Sequence, residues 1–115
     1  NFKPEWCIEK IKNAQLEFEL KHKIKPQTAV LGLAFKPNID DLRESPALQI
    51  VESLIKLNYN ILPVEPNIRD HKKLKIYTIK EAMSSADLVV FLVAHDQFKD
   101  IDIKSSLDFC GLFNK

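Results

Sequence analysis

The 115-residue sequence predicts an α/β fold, and three observations predict it. Short β-branched or apolar runs recur at Thr28–Leu33, Ile61–Glu65 and Leu88–Val93. Segments with apolar residues at helical spacing lie between them. Cap and turn residues punctuate the boundaries. Strands that alternate with helices pair in parallel through crossover connections. The expected architecture is therefore a Rossmann-like three-layer sandwich with a mostly parallel sheet, preceded by a long amphipathic helix. The length suits one core, with residues 1–25 as a lead-in helix and residues 26–115 as the domain proper.

From Pro4 to about Ile24, the residues Cys7, Ile8, Ile11, Ala14, Phe18 and, more loosely, Trp6 keep a helical spacing. Charged residues fill the other face, and Pro4 suits a first helical turn. Lys25-Pro26 ends the helix, because a residue before proline is pushed out of the helical region. Thr28–Leu33 is apolar without clean alternation, so it reads as a strand buried on both faces. Ser45-Pro46 is a helix start, with serine as the cap and proline at the first position. Ala47, Leu48, Ile50, Val51, Leu54, Ile55 and Leu57 form the inward stripe of that helix, and Asn58-Tyr59-Asn60 closes it. Ile61–Glu65 is the second strand and Pro66-Asn67 a turn. Ile76-Tyr77 reads as a brief third strand. Thr78 and Glu81 form a capping box for a short helix from Ile79 to about Ser85. Leu88–Val93 is the strongest strand, His95–Lys99 a loop or single helical turn, and Ser106–Phe109 an edge strand before Gly111.

Composition excludes several functions. A net charge of +1 gives no basic face for bulk nucleic-acid or membrane-surface binding. No apolar run reaches the roughly 18–20 residues of a membrane-spanning helix. The chain opens Asn1-Phe2-Lys3-Pro4 without a signal peptide or initiator Met, so it is expected to be a piece of a longer cytoplasmic protein. Its two glycines, Gly32 and Gly111, lie too far apart for G-x-G-x-x-G or a P-loop. Cys7 and Cys110 lack redox or zinc spacing and read as two reduced, mostly buried thiols. No Ser or Cys sits on a nucleophile elbow, and no catalytic residue is assigned.

The loop Ala34–Glu44 joins the first strand to the Ser45-capped helix. Loops at the carboxyl ends of strands are where open α/β sheets bind ligands. Lys36 and Arg43 place a cation at each end of it, which makes a lip suited to phosphates. Each has a plainer alternative. Lys36 can be a solvated lysine, and Arg43 can pair with Asp40, Asp41 or Glu44. Asp40-Asp41 reads as turn and capping carboxylates, since no further oxygen ligands for a metal are marked. A receiver-like signalling domain would carry that pair directly at the strand end, whereas six residues separate Leu33 from Asp40. His95-Asp96 follows the third long strand and faces the same rim. His22 and His71 lie in polar surroundings and read as surface residues.

Three stretches together carry a resemblance: Val30-Leu31-Gly32-Leu33-Ala34-Phe35-Lys36-Pro37-Asn38, Asp40-x-x-Arg43-Glu44-Ser45-Pro46, and Val64-Glu65-Pro66-Asn67. Ala86–Val93 and His95-x-x-Phe98-Lys99 continue it in register. The composite resembles the C-terminal, UDP-binding domain of the UDP-glucose/GDP-mannose dehydrogenase family, in the version found in UDP-N-acetylmannosamine dehydrogenases. The resemblance covers residues 26–115, and the leading helix matches the segment that joins the family's central helix to this domain. It implies oxidation of the C6 alcohol of a nucleotide sugar to a carboxylate, with NAD as cofactor and a catalytic Cys on an N-terminal domain. Neither Cys7 nor Cys110 lies in the family's Cys motif. By the same resemblance, Phe35 and Lys36 contact the UDP-sugar, and Arg43 approaches NAD bound to the other domain. It also implies a homodimer through the central helix. One departure stands out. Members commonly carry a basic residue in an Asp-x-Arg/Lys-Gly turn that touches UDP, and this chain reads Asp108-Phe109-Cys110-Gly111. A thiol cannot supply that charge, which leaves the contact missing or made by another residue such as Lys115. The alternative function is a stand-alone nucleotide-binding or regulatory module.

Overall fold

A computed structural model describes residues 3–101 and 106–111. Helix α1 (Pro4–His22) leads into strand β1 (Gln27–Leu31). Helix α2 (Pro46–Lys56) connects β1 to β2 (Asn60–Val64), and helix α3 (Ile79–Ser85) connects β2 to β3 (Leu88–Phe91). A 3-10 turn (Asp96–Phe98) precedes β4 (Ser106–Asp108). The strands lie in the order β2-β1-β3-β4, and every pairing is parallel. Val30 of β1 stands between Pro63 and Val90, so the first strand in sequence is central in space.

Alternate residues of a strand face opposite sides, and the two faces of this sheet bury separate cores. On one side Val30 and Val90 pack with Cys7 and Ile11 of α1 and Ala47, Ile50, Val51 and Leu54 of α2. On the other side Ala29, Leu31, Val89 and Phe91 pack with Ala82 of α3 and Phe98. Helix, sheet and helix thus make the three layers. Each fully buried Ile, Leu or Phe contributes about 1.5–3 kcal/mol relative to exposure, so these two clusters dominate the folding energy.

The local chemistry sets the element ends. Ser45 caps α2 by accepting the Leu48 N–H at 3.2 Å, with Pro46 in the first turn. Thr78 and Glu81 form a complete capping box on α3. Lys23 closes α1 in the left-handed region at φ 64°, its N–H donating to the Glu19 carbonyl.

Four expectations need correction. Ile55 and Leu57 face solvent rather than the core, at 37% and 52% exposure, because α2 has already turned them past the sheet. Ile76-Tyr77 is no strand: Tyr77 makes a single parallel bridge to Val64. The fully buried line of α1 is Cys7, Ile11 and Gln15, while Trp6 stays 53% exposed with its ring edge-on to Phe109. Gln15 is tolerated there because its Nε2 donates to the Thr28 hydroxyl at 2.7 Å. Finally, β1 and β3 both stop early, at Leu31 and Phe91. Gly32 turns β1 aside at φ 101°, and Leu92 N–H donates back to the Leu31 carbonyl at 2.9 Å.

Candidate functional site

The loops after β1, β2 and β3 meet at the carboxyl end of the sheet. The connection from β1 runs to one neighbour and the connection from β2 returns past it to the other. The crevice between β1 and β3 is therefore the topological switch point of the sheet, where such folds bind ligands.

Buried polar groups hold this rim together. Glu65 directly follows β2, with its side chain wholly buried. Its Oε1 accepts from Leu33 N–H at 2.9 Å, Ala34 N–H at 3.0 Å and His95 Nε2 at 2.9 Å. Its Oε2 accepts from Asn67 N–H at 3.0 Å. Burial alone would raise the carboxyl pKa, but the bonds from His95, Leu33 and Asn67 outweigh it and hold the group below the ordinary 4.5. Glu65 is therefore a buried, ionised acceptor. His95 is equally buried, and its Nδ1 accepts the Asn38 N–H at 2.7 Å. A ring nitrogen that accepts cannot carry a proton, so the ring proton belongs on Nε2, facing Glu65. Asn38 sits at φ 63°, a region asparagine tolerates, and its Oδ1 accepts the Asp96 N–H at 2.9 Å.

Around that framework stand Phe35 and Lys36, two of the residues expected to bind. Phe35 is half exposed, and the Lys36 ammonium lies 5.9 Å from the centre of its ring. Both line a hollow of about 580 Å³. Its other walls are the first turn of α2 (Pro46, Ala47), the residues Leu92–Ala94 after β3, and Phe109–Gly111 after β4. Ser45 fixes the α2 end of that wall, because its hydroxyl also donates to the Leu33 carbonyl at 2.6 Å.

Arg43 lies elsewhere. It lines a second hollow of about 630 Å³, with Asp70, His71 and Lys72 on the far side, so the two cations do not form one shared lip. Its guanidinium grips Asp41 with Nε at 3.1 Å and Nη2 at 3.0 Å, and its N–H reaches the same carboxylate at 2.9 Å. These bonds keep the Asp41 carboxyl below its ordinary value and raise that of the arginine. Both side chains face solvent at 38% and 89% exposure, so the pair orders the loop more than it stabilises the fold. Asp40 is exposed, and among the described residues no group of three His, Cys, Asp or Glu could hold a metal ion.

Cys110 stands on the wall of the Lys36 hollow, its Sγ 3.4 Å from Asp108 Oδ1. Lys115, the other residue considered for that contact, lies outside the described residues. Cys7 is buried among apolar side chains, which pushes its thiol up to about 11. The Glu65–His95–Asn38 chain was not legible from the sequence as a unit. Each residue follows a strand, but only the strand order shows that the ends of β2 and β3 converge over β1.

Residues 29–110 match the UDP-binding domain of the UDP-glucose/GDP-mannose dehydrogenase family. The UDP-N-acetyl-D-mannosamine dehydrogenase of Campylobacter jejuni is 40% identical over 94% of this chain and 27% of its own length. The NDP-N-acetyl-D-galactosaminuronic acid dehydrogenase of Ralstonia nicotianae is 38% identical over 87% of this chain and 24% of its own. The chain thus spans about a quarter of the length of the curated relatives it matches. Among solved structures, the UDP-D-ManNAc dehydrogenase of Pyrococcus horikoshii superposes with a TM-score of 0.72 at 26% identity, over 96% of this chain and 28% of that one. Motif, fold and sequence similarity agree: the chain belongs to the UDP-glucose/GDP-mannose dehydrogenase family, in the part that forms its UDP-binding domain.

Proposed function

We propose that this chain is the nucleotide-sugar-binding part of an NAD-dependent UDP-sugar 6-dehydrogenase, with UDP-N-acetylmannosamine as the substrate. In this reading the enzyme oxidises the C6 alcohol to the uronic acid in the cytoplasm. The NAD site and the nucleophilic Cys belong to an N-terminal domain of the same protein. Residues 1–25 are the lead-in from its central helical region and 26–115 the substrate domain.

The observation that carries the reading is the Lys36 hollow. It lies at the switch point, and it combines an ammonium, an exposed aromatic ring and the positive end of α2. A diphosphate suits the lysine and the helix end, and a base or sugar ring suits the face of Phe35. Arg43 serves a different ligand in this scheme. Its separate hollow is open to solvent, and the guanidinium edge that Asp41 leaves free would serve the pyrophosphate of NAD on the facing domain. The residues of this chain therefore bind and orient, and none performs the oxidation. Cys110 offers no charge to the nucleotide, so Lys36 carries more of that task here than in members with a basic residue there.

A homodimer built on α1 belongs to the same proposal. Leu16 and Leu20 lie four residues apart on α1 and, with Ile24 just past the end of the helix, are more than half exposed, which leaves apolar surface for a second copy.

The test is calorimetric titration with UDP. Lys36→Ala is expected to weaken binding about tenfold, the loss of a charge-assisted contact of about 1.5 kcal/mol. Equal affinity for both proteins would remove the loop from the site. For the full-length protein, NADH formation with UDP-N-acetylmannosamine, UDP-N-acetylglucosamine and UDP-glucose ranks the sugars, and the first should lead.

A further inference from the structure

The segment Phe35–Pro37 belongs to no strand or helix, yet it carries the cation of the hollow. One of its ties lies within the loop itself: the Phe35 N–H donates to the Asp41 carbonyl at 2.8 Å. Another is exposed, from Asn67 Nδ2 to the Ile39 carbonyl at 3.2 Å. Buried groups tie both flanks: upstream the Ala34 N–H donates to Glu65 Oε1 at 3.0 Å, and downstream the tie runs through Asn38. Its N–H donates to His95 Nδ1 at 2.7 Å, and its Oδ1 receives the Asp96 N–H at 2.9 Å. The two bonds run in opposite directions, so the residue is held at backbone and side chain together. His95 has little freedom to respond, since its side chain is wholly buried with Nε2 at 2.9 Å from Glu65 Oε1.

Resting on the UDP-sugar reading above, we infer that His95 is a positioning residue for Lys36. Glu65, an acceptor only, holds the ring proton on Nε2 and leaves Nδ1 to receive Asn38. Asn38 in turn fixes the backbone two residues from Lys36, with the stiff Pro37 between. The imidazole touches no ligand itself. It relays the fixed position of a buried, ionised carboxylate to the placement of a surface ammonium.

Two substitutions separate this role from simple packing. Asn at position 95 puts an oxygen near the place of Nδ1 and keeps the acceptor, but cannot reach Glu65. Gln reaches Glu65 and leaves Asn38 without an acceptor there. UDP titration and thermal melting of the full chain are measured for the wild type, Lys36→Ala, His95→Asn and His95→Gln. His95→Gln is expected to weaken UDP about five- to tenfold, with His95→Asn within about twofold of wild type. His95→Asn should nonetheless melt lower, because it gives up the bond to the charged group. Affinity and stability then fall in opposite orders, which a packing role cannot produce. Affinity that follows melting temperature, or unchanged binding by His95→Gln, overturns the inference.

A wild type that does not bind UDP removes the underlying reading and the inference with it. Binding that responds to Lys36→Ala but not to His95→Gln rejects the inference alone. If neither His95 variant folds, nitrogen-15 NMR of the wild type replaces them: an unprotonated His95 Nδ1 with a slowly exchanging Asn38 N–H supports the strap, whereas a protonated Nδ1 or rapid exchange of that N–H rejects it.

Discussion

At the end of β2 a single carboxylate receives bonds from Leu33, Ala34, Asn67 and His95. Because these bonds hold the folded-state pKa of Glu65 below 4.5, the stability they bring is present above that pH. It is lost as pH falls through the depressed folded value. The urea midpoint of the wild type should therefore decline below about pH 4.5. Glu65→Gln should be about 1.5–3 kcal/mol less stable at neutral pH, with a shallower acid decline. Equal slopes for the two proteins would mean that Glu65 is not the titrating group. Cys7 gives a second test at this scale. Buried, with its thiol pushed up to about 11, it should resist a disulfide reagent at pH 8 in the native protein and react only after unfolding. What a residue does with its near neighbours in sequence was legible here, as the caps at Ser45 and Thr78 show. What Glu65 does was not, because His95 lies thirty residues away and only the assembled sheet brings them within 2.9 Å.

Elements were legible where their periodicity was strong and misread where tertiary contacts cut them short. The apolar run Leu88–Val93 continues past β3, but its last residues leave the sheet to pack over Gly32. A Cβ on Gly32 would stand 2.6 Å from the Val93 Cβ and 2.7 Å from its backbone nitrogen, at a φ of 101°. Gly32→Ala should therefore cost about 3 kcal/mol or more, through a clash and backbone strain together. A lower urea midpoint with an unchanged slope is the expected reading, and near-wild-type stability would show that the crossing can shift. Helix α1 was misread in the other direction. Its spacing suggested an inward Phe18 and a loosely inward Trp6, but Gln15 is the residue fully buried one turn beyond Ile11. A polar residue at a core position is recognisable only when its partner, here the Thr28 hydroxyl, is in view.

For the whole molecule, alternation of strands and helices was enough to give the three layers and the parallel pairing. It was not enough to divide the loop cations between two hollows, since the path of Asn38–Leu42 depends on Asn67, His95 and Asp96 from the loops that follow other strands. Leu16 and Leu20 leave exposed apolar surface on α1. On the dimer proposed above, changing both to Glu in the full-length protein should convert it to a monomer in sedimentation. It should leave the melting of the isolated chain within about 0.5 kcal/mol, because both side chains face solvent. A dimer that survives the double change would place the interface elsewhere.

Pro63 lies in β2, the outermost strand on its side, where a missing amide hydrogen costs the ladder nothing. Its carbonyl is already taken by the Tyr77 N–H at 2.8 Å. A foreign peptide sliding along that margin meets neither donor nor vacant acceptor at Pro63, so this flank of the molecule is blunted against the zippering that seeds aggregates.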